Sequence, residues 1–189
     1  MTLAQSPPPA GPEAGPADTL LSRTTAIAAG PLRAAVNRID HGHYPLEILA
    51  EFGAAGALGA HLACNGGGFG TAIAAMGAAS RVCGATGFLM WAHDVCGLYM
   101  EQSDNPALMG RMLEDHAAGR TFGGTALSNP MKALAEIEPM LLRARKTVGG
   151  YLVSGTLPWV SHIAPGQYCG AIARVQSIPC ARWNRPSAM

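Results

Sequence analysis

Charge is scarce in this chain. Only 13% of its 189 residues are Asp, Glu, Lys or Arg, and 13 basic against 12 acidic side chains leave a formal charge of +1. No basic arm exists to hold a polyanion, so nucleic-acid binding is excluded as the main role. Paired cysteine motifs are also missing. Cys64, Cys83, Cys96, Cys169 and Cys180 lie far apart, a pattern that suits reduced thiols in a cytoplasmic protein better than a disulfide framework. A long uninterrupted apolar helix is absent too. Residues 52–80 carry no Asp, Glu, Lys or Arg, but Asn65-Gly66-Gly67-Gly68 breaks that run after thirteen residues, short of the roughly 20 that a membrane span needs. No membrane association is expected, and the proline-rich opening does not read as a signal peptide.

Hydrophobic residues make up 49% of the chain and 24 residues are Gly, a composition that supports a packed core and excludes wholesale disorder. Residues 1–17, with five prolines in the first sixteen, read as a disordered leader. Helices are expected over Asp18–Ala29 and Pro31–Ile39, separated by Gly30-Pro31, and another after Pro45. The Ala/Gly-rich stretch Thr71–Cys83 reads as a buried helix. Residues 86–101 give the strongest helical pattern, with Phe88, Trp91, Val95 and Leu98 or Tyr99 as the expected core stripe. Asn105-Pro106 is expected to open a last helix, stopped by Gly119.

After Arg120 the character changes to β. Gly149-Gly150 suits the turn of a hairpin over 141–155, and residues 157–161 and 167–175 read as two further strands. The expected fold is therefore α+β: an all-α domain over 18–120, an incomplete antiparallel β-domain over 121–175, and an aperiodic tail at 176–189.

Three landmarks recur in a fixed order: Gly66-Gly67-Gly68-Phe69-Gly70, Thr125-Ala126-Leu127-Ser128-Asn129-Pro130, and Trp159-Val160-Ser161. Together with the α-then-β layout they resemble the acyl-CoA dehydrogenase family of flavoenzymes, over its N-terminal helical domain and the first part of its middle β-domain. The resemblance implies FAD as cofactor, an acyl-CoA-like small-molecule substrate and α,β-dehydrogenation, with homo-oligomeric full-length relatives. It implies a cofactor site formed by Thr125, Leu127, Ser128, Trp159, Val160 and Ser161, with Ser161 near flavin N5 and Trp159 beside the ring. A flavin needs an apolar wall beside a few hydroxyl or backbone donors, and Trp159 and Ser161 are of those two kinds. Two departures stand out. Asn129 replaces the usual acid before the proline, and Met131-Lys132-Ala133 replaces the Gly-Ser-Asp that normally follows. The chain also ends before the family's C-terminal helical domain with its catalytic glutamate, so a fragment inactive on its own is expected and no catalytic residue is assigned.

Other constellations are weaker. Gly66–Gly70 lacks the Lys-Ser/Thr of a P-loop. His41 and His43 have no third ligand to complete a metal site. His93 reads as a core or cleft histidine, and Arg143, Arg145 and Lys146 as a solvated basic face. The rival to a dehydrogenase fragment is a non-enzymatic helical interaction module.

Overall fold

The computed structural model describes residues 19–176; the expected leader and most of the aperiodic tail lie outside them. Thr19 caps the first helix, its side chain accepting from the Ser22 N–H while the Ser22 hydroxyl accepts from the Thr19 N–H. That helix, α1 (Leu20–Ile27), does not stop at Gly30-Pro31 as expected. It passes through a π-helical turn at Ala28–Leu32 into α2 (Arg33–Asp40). The wider turn tolerates Pro31, which has no N–H to donate and would press on the preceding turn of a regular α-helix.

Pro45 precedes α3 (Leu46–Ala54), and two 3₁₀ turns at Ala57–Gly59 and Ala63–Asn65 lead into α4 (Phe69–Ser80). α5 (Gly84–Glu101) follows. It crosses α4 closely at Gly87, where an added Cβ would lie 2.9 Å from the Ser80 Cβ. Asn105 accepts from the Ala107 N–H as expected of a cap, but only a 3₁₀ turn (Pro106–Leu108) forms before the chain breaks at Gly110 and restarts as α6 (Arg111–Ala117).

The β region holds β1 (Gly123–Thr125), α7 (Ser128–Leu134), β2 (Arg143–Thr147), β3 (Gly150–Ser154), β4 (Tyr168–Gly170) and β5 (Arg174–Val175). The hairpin β2–β3 is antiparallel with Thr147 opposite Gly150. Its turn residues are therefore Val148-Gly149, one position earlier than expected, with φ +81° carried by Gly149. The other two pairs, β1–β4 and β2–β5, are parallel, so the incomplete antiparallel domain expected over 121–175 is in fact mixed. Parallel pairing needs a long connection between its strands, and 42 residues, 126–167, lie between β1 and β4. Residues 157–161 form no strand and meet β1 through a single bridge, Thr125 to Ser161. The stretch 167–175 divides into β4 and β5.

Leu32, Ile48, Leu49, Phe52, Leu58 and Met90 form the main core, and Leu62, Met100, Leu113 and Ala117 a second one under Tyr168. The expected core stripe of α5 is corrected: Phe88 is 51% exposed and Trp91 39%. The buried face carries Met90, His93, Asp94, Gly97 and Met100, the same helical spacing shifted around the axis. Two of those five are polar, which hides this face from a hydrophobic pattern. Among the described residues no helix is long and apolar enough to cross a membrane.

A candidate flavin cavity between α5, β1 and the 158–161 segment

The displaced stripe of α5 faces a cavity of about 520 Å³. Its far side comes from the end of β1, the start of α7 and the 158–161 segment. Thr125, Leu127, Ser128, Trp159 and Ser161 all line it. Val160, half-buried, does not. Phe88 and Trp91 complete the opposite wall, their rings stacked with centroids 5.4 Å apart and planes inclined by 27°.

Backbone pairing fixes the far wall. Ser161 donates its N–H to the Thr125 carbonyl and Thr125 donates its own to Ser161, each at 3.3 Å. Ser161 therefore has its hydroxyl, and not its backbone N–H, left for a ligand. The Thr125 hydroxyl is held 3.1 Å from that of Tyr99, whereas those of Ser128 and Ser161 have no partner among the described residues. The close approach depends on Gly124, where an added Cβ would stand 2.6 Å from the His162 carbonyl oxygen and closer still to that of Ser161.

Asn129, where the resemblance has an acid, is 3% exposed. Its amide donates to Glu138 Oε1 and to the Pro139 carbonyl, both at 2.9 Å, while its Oδ1 accepts from the Leu141 N–H at 2.9 Å. An ionised carboxylate has no hydrogen for either donated bond. Asn129 thus ties α7 to the 138–141 turn. One turn later, the Lys132 ammonium lies 5.4 Å from the Trp159 ring centre and 3.5 Å from Glu138 Oε2, a cation over the exposed indole.

A buried histidine group supports this wall. His93 and His116 stack at 3.6 Å with nearly parallel rings, each donating Nε2–H to the other's carbonyl at 3.0 Å. The bare Nδ1 of His116 then accepts from the Tyr168 hydroxyl at 2.7 Å. Burial holds the His116 pKa down at about 4 and that of His93 well below the ordinary value, so both rings are neutral at pH 7. His162 follows Ser161 with φ +59°, an uncommon conformation for a residue with a Cβ. Its Nδ1 bonds to the Tyr44 hydroxyl, which in turn donates to Gln167 Oε1 at 3.1 Å. Burial lowers the His162 pKa to about 4. Of these rings, only His93 was singled out by sequence, because the others, His116 and His162, lie far from it and from each other along the chain and meet it only in the fold.

A second cavity, of about 200 Å³, lies on the other side of Trp91 and is bordered by His61 and Asp94. These side chains make no hydrogen bond through ring nitrogens or carboxyl oxygens; their closest approach is 3.9 Å. Burial raises the Asp94 pKa to about 8, so it is predominantly protonated at pH 7. His41 and His43 are engaged separately, with the Asn37 carbonyl and with Glu47. Among the described residues no cluster of three potential metal ligands occurs. Arg143, Arg145 and Lys146 lie exposed on β2.

The lining of the larger cavity fits a flavin: apolar and aromatic surface, three hydroxyls, and no charged group. Comparison with known proteins gives three findings. Residues 18–120 match the family described as acyl-CoA dehydrogenase, N-terminal domain. A solved structure of butyryl-CoA dehydrogenase from Megasphaera elsdenii superposes with a TM-score of 0.63 at 20% identity, covering 75% of this chain and 39% of that one. Among curated protein sequences no match is found.

Proposed function

The chain belongs to the acyl-CoA dehydrogenase family, and from that premise we propose that the 520 Å³ cavity is an FAD site serving oxidation of an acyl thioester or a related substrate. The observation that carries this reading is the convergence of Thr125, Leu127, Ser128, Trp159 and Ser161 on one uncharged cavity. Trp159 offers a flat face to the ring system. The hydroxyls of Ser128 and Ser161 offer donors to its polar edges, and Leu127 excludes water from between them. When bound, FAD supplies the two-electron acceptor.

No carboxylate lines the cavity. Removal of a substrate proton therefore has no base within reach among the described residues, and a positioned base contributes typically about 10²–10⁴-fold. The 189-residue chain by itself is proposed to bind FAD without turning over acyl-CoA. Four free thiols among the described residues support a cytoplasmic setting, and family membership supports a homo-oligomeric full-length assembly.

The test is a titration of FAD with the purified chain, followed by flavin fluorescence. Saturable quenching is expected, weakened about threefold to tenfold by Trp159→Ala, since an aromatic contact contributes about 0.5–1.5 kcal/mol beyond burial. Wild-type chain that leaves FAD fluorescence unchanged at any concentration sinks the assignment.

A further inference from the structure

The proposed cofactor wall occupies only one side of the cavity. Opposite it, α5 presents Phe88 and Trp91, stacked on each other, 51% and 39% exposed, and without a protein group over their cavity side. On α5 these two belong to what the sequence pattern made a core stripe, and their exposure is imposed by packing of the opposite face: Gly87 is locked against Ser80, and His93 and Gly97 against His116. α5 cannot turn to bury them.

Resting on the FAD reading of the same cavity, we propose that the Phe88–Trp91 wall is a substrate subsite that selects a neutral, flat aromatic group over an aliphatic one of similar size.

Three features of the site set that chemistry. Aromatic groups gain from offset or tilted stacking beyond the area they bury, and the Phe88–Trp91 pair extends a continuous aromatic surface that a third ring can prolong. The lining carries no charge, so a carboxylate or ammonium placed there would lose its hydration without a counter-charge. The Lys132 ammonium is engaged by Glu138 and by the Trp159 ring. The cavity lies between aromatic walls on both sides, which lets a planar ligand sit between the α5 pair and a flavin laid against Trp159.

The experiment titrates the 189-residue chain with indole and, separately, with cyclohexanol, by isothermal calorimetry, with and without saturating FAD. Indole is expected to bind at least tenfold more tightly than cyclohexanol. Phe88→Leu and Trp91→Leu, which keep apolar bulk, are expected to reduce that preference to less than threefold while weakening FAD binding less than Trp159→Leu does. Trp159→Leu is expected to do the reverse. Equal binding of indole and cyclohexanol, or an indole preference unchanged in both α5 variants, overturns the subsite. Loss of FAD binding in Trp91→Leu to the same extent as in Trp159→Leu also overturns it, because the α5 wall would then be part of the flavin seat. A wild-type chain that binds indole selectively but no FAD refutes the cofactor reading and leaves the aromatic selectivity standing, so the two failures are told apart. Far-UV circular dichroism of each variant checks that the helices persist.

Discussion

Acidification should unfold this protein through its buried histidines. In the folded chain His116 and His162 titrate at about 4, against an ordinary value near 6.5 in an unfolded chain. Between those values the unfolded state binds the extra protons, so stability is fully present above about pH 6.5 and is lost as pH falls towards 4. Each ring accounts for about 3 kcal/mol over that window. His93, held well below its ordinary value by burial, adds a loss in the same direction. Asp94 works oppositely. Its folded value of about 8 exceeds the unfolded value of about 4, so its contribution is full at low pH and is lost as pH rises through 8. Over the acid window it offsets about one histidine, leaving from His116, His162 and Asp94 a net loss of about one histidine's worth, roughly 3 kcal/mol, before the further loss at His93. That is a large share of the whole stability of a small domain, about 5–15 kcal/mol. Above pH 6.5 only Asp94 acts among these groups, and stability should fall by about 2 kcal/mol by pH 8. Urea unfolding followed by circular dichroism between pH 4.5 and 8.5 should show a maximum near neutrality. Asp94→Asn should flatten the alkaline limb and leave the acid limb steep. Stability that is constant or rising as pH falls from 6.5 to 4.5 would refute the assignment of neutral buried imidazoles.

Other consequences are local. Gly124→Ala places a Cβ against the Ser161 and His162 carbonyls; overpacking of this kind costs typically about 1–3 kcal/mol, and a drop in the thermal midpoint together with weakened FAD binding is expected, whereas an unchanged midpoint means the 161 segment is not seated on β1. Ser161→Ala removes a hydroxyl worth roughly 0.5–1.5 kcal/mol as a hydrogen bond, so it should shift the bound flavin's absorption bands and slow its reduction by dithionite more than it weakens affinity; spectra and rates identical to wild type remove Ser161 from the site. Asn129→Asp should cost about 1–3 kcal/mol at pH 7 by losing the bonds donated to Glu138 and Pro139; a neutral effect in a urea melt would contradict the role of Asn129 as a tie. A dye-coupled assay of the lone chain with butyryl-CoA should give no rate above a flavin-only blank, and turnover there would show a base that the cavity lining lacks.

Local patterns in the sequence located most helices to within a few residues, because stops such as Gly119 act over one turn, whereas the Asn105 cap opened only a 3₁₀ turn. Pro31 misled for an instructive reason: its usual effect on a helix was absorbed by a π-turn, which depends on packing against the rest of the domain. The hairpin was legible, but its register was not, since Val148-Gly149 and Gly149-Gly150 serve almost equally well until β2 and β3 are paired. The order of three short landmarks pointed to residues that the fold gathers around one cavity, the proposed cofactor site. The opposite wall was hidden, because Phe88 and Trp91 follow a core periodicity, while the truly buried face owes its burial to His93 satisfying its hydrogen bonds with His116. Contacts between residues 20 or more positions apart leave no mark in a local pattern.

The central claim is that FAD lies against Trp159 and the end of β1. Methyl-labelled nuclear magnetic resonance of the 189-residue chain with FAD tests it most directly, through Overhauser contacts from the isoalloxazine protons. Contacts to the Leu127 methyls, the Thr125 methyl and the Trp159 indole are expected. Flavin contacts confined to residues outside the cavity, or no contacts at saturating FAD, would contradict it.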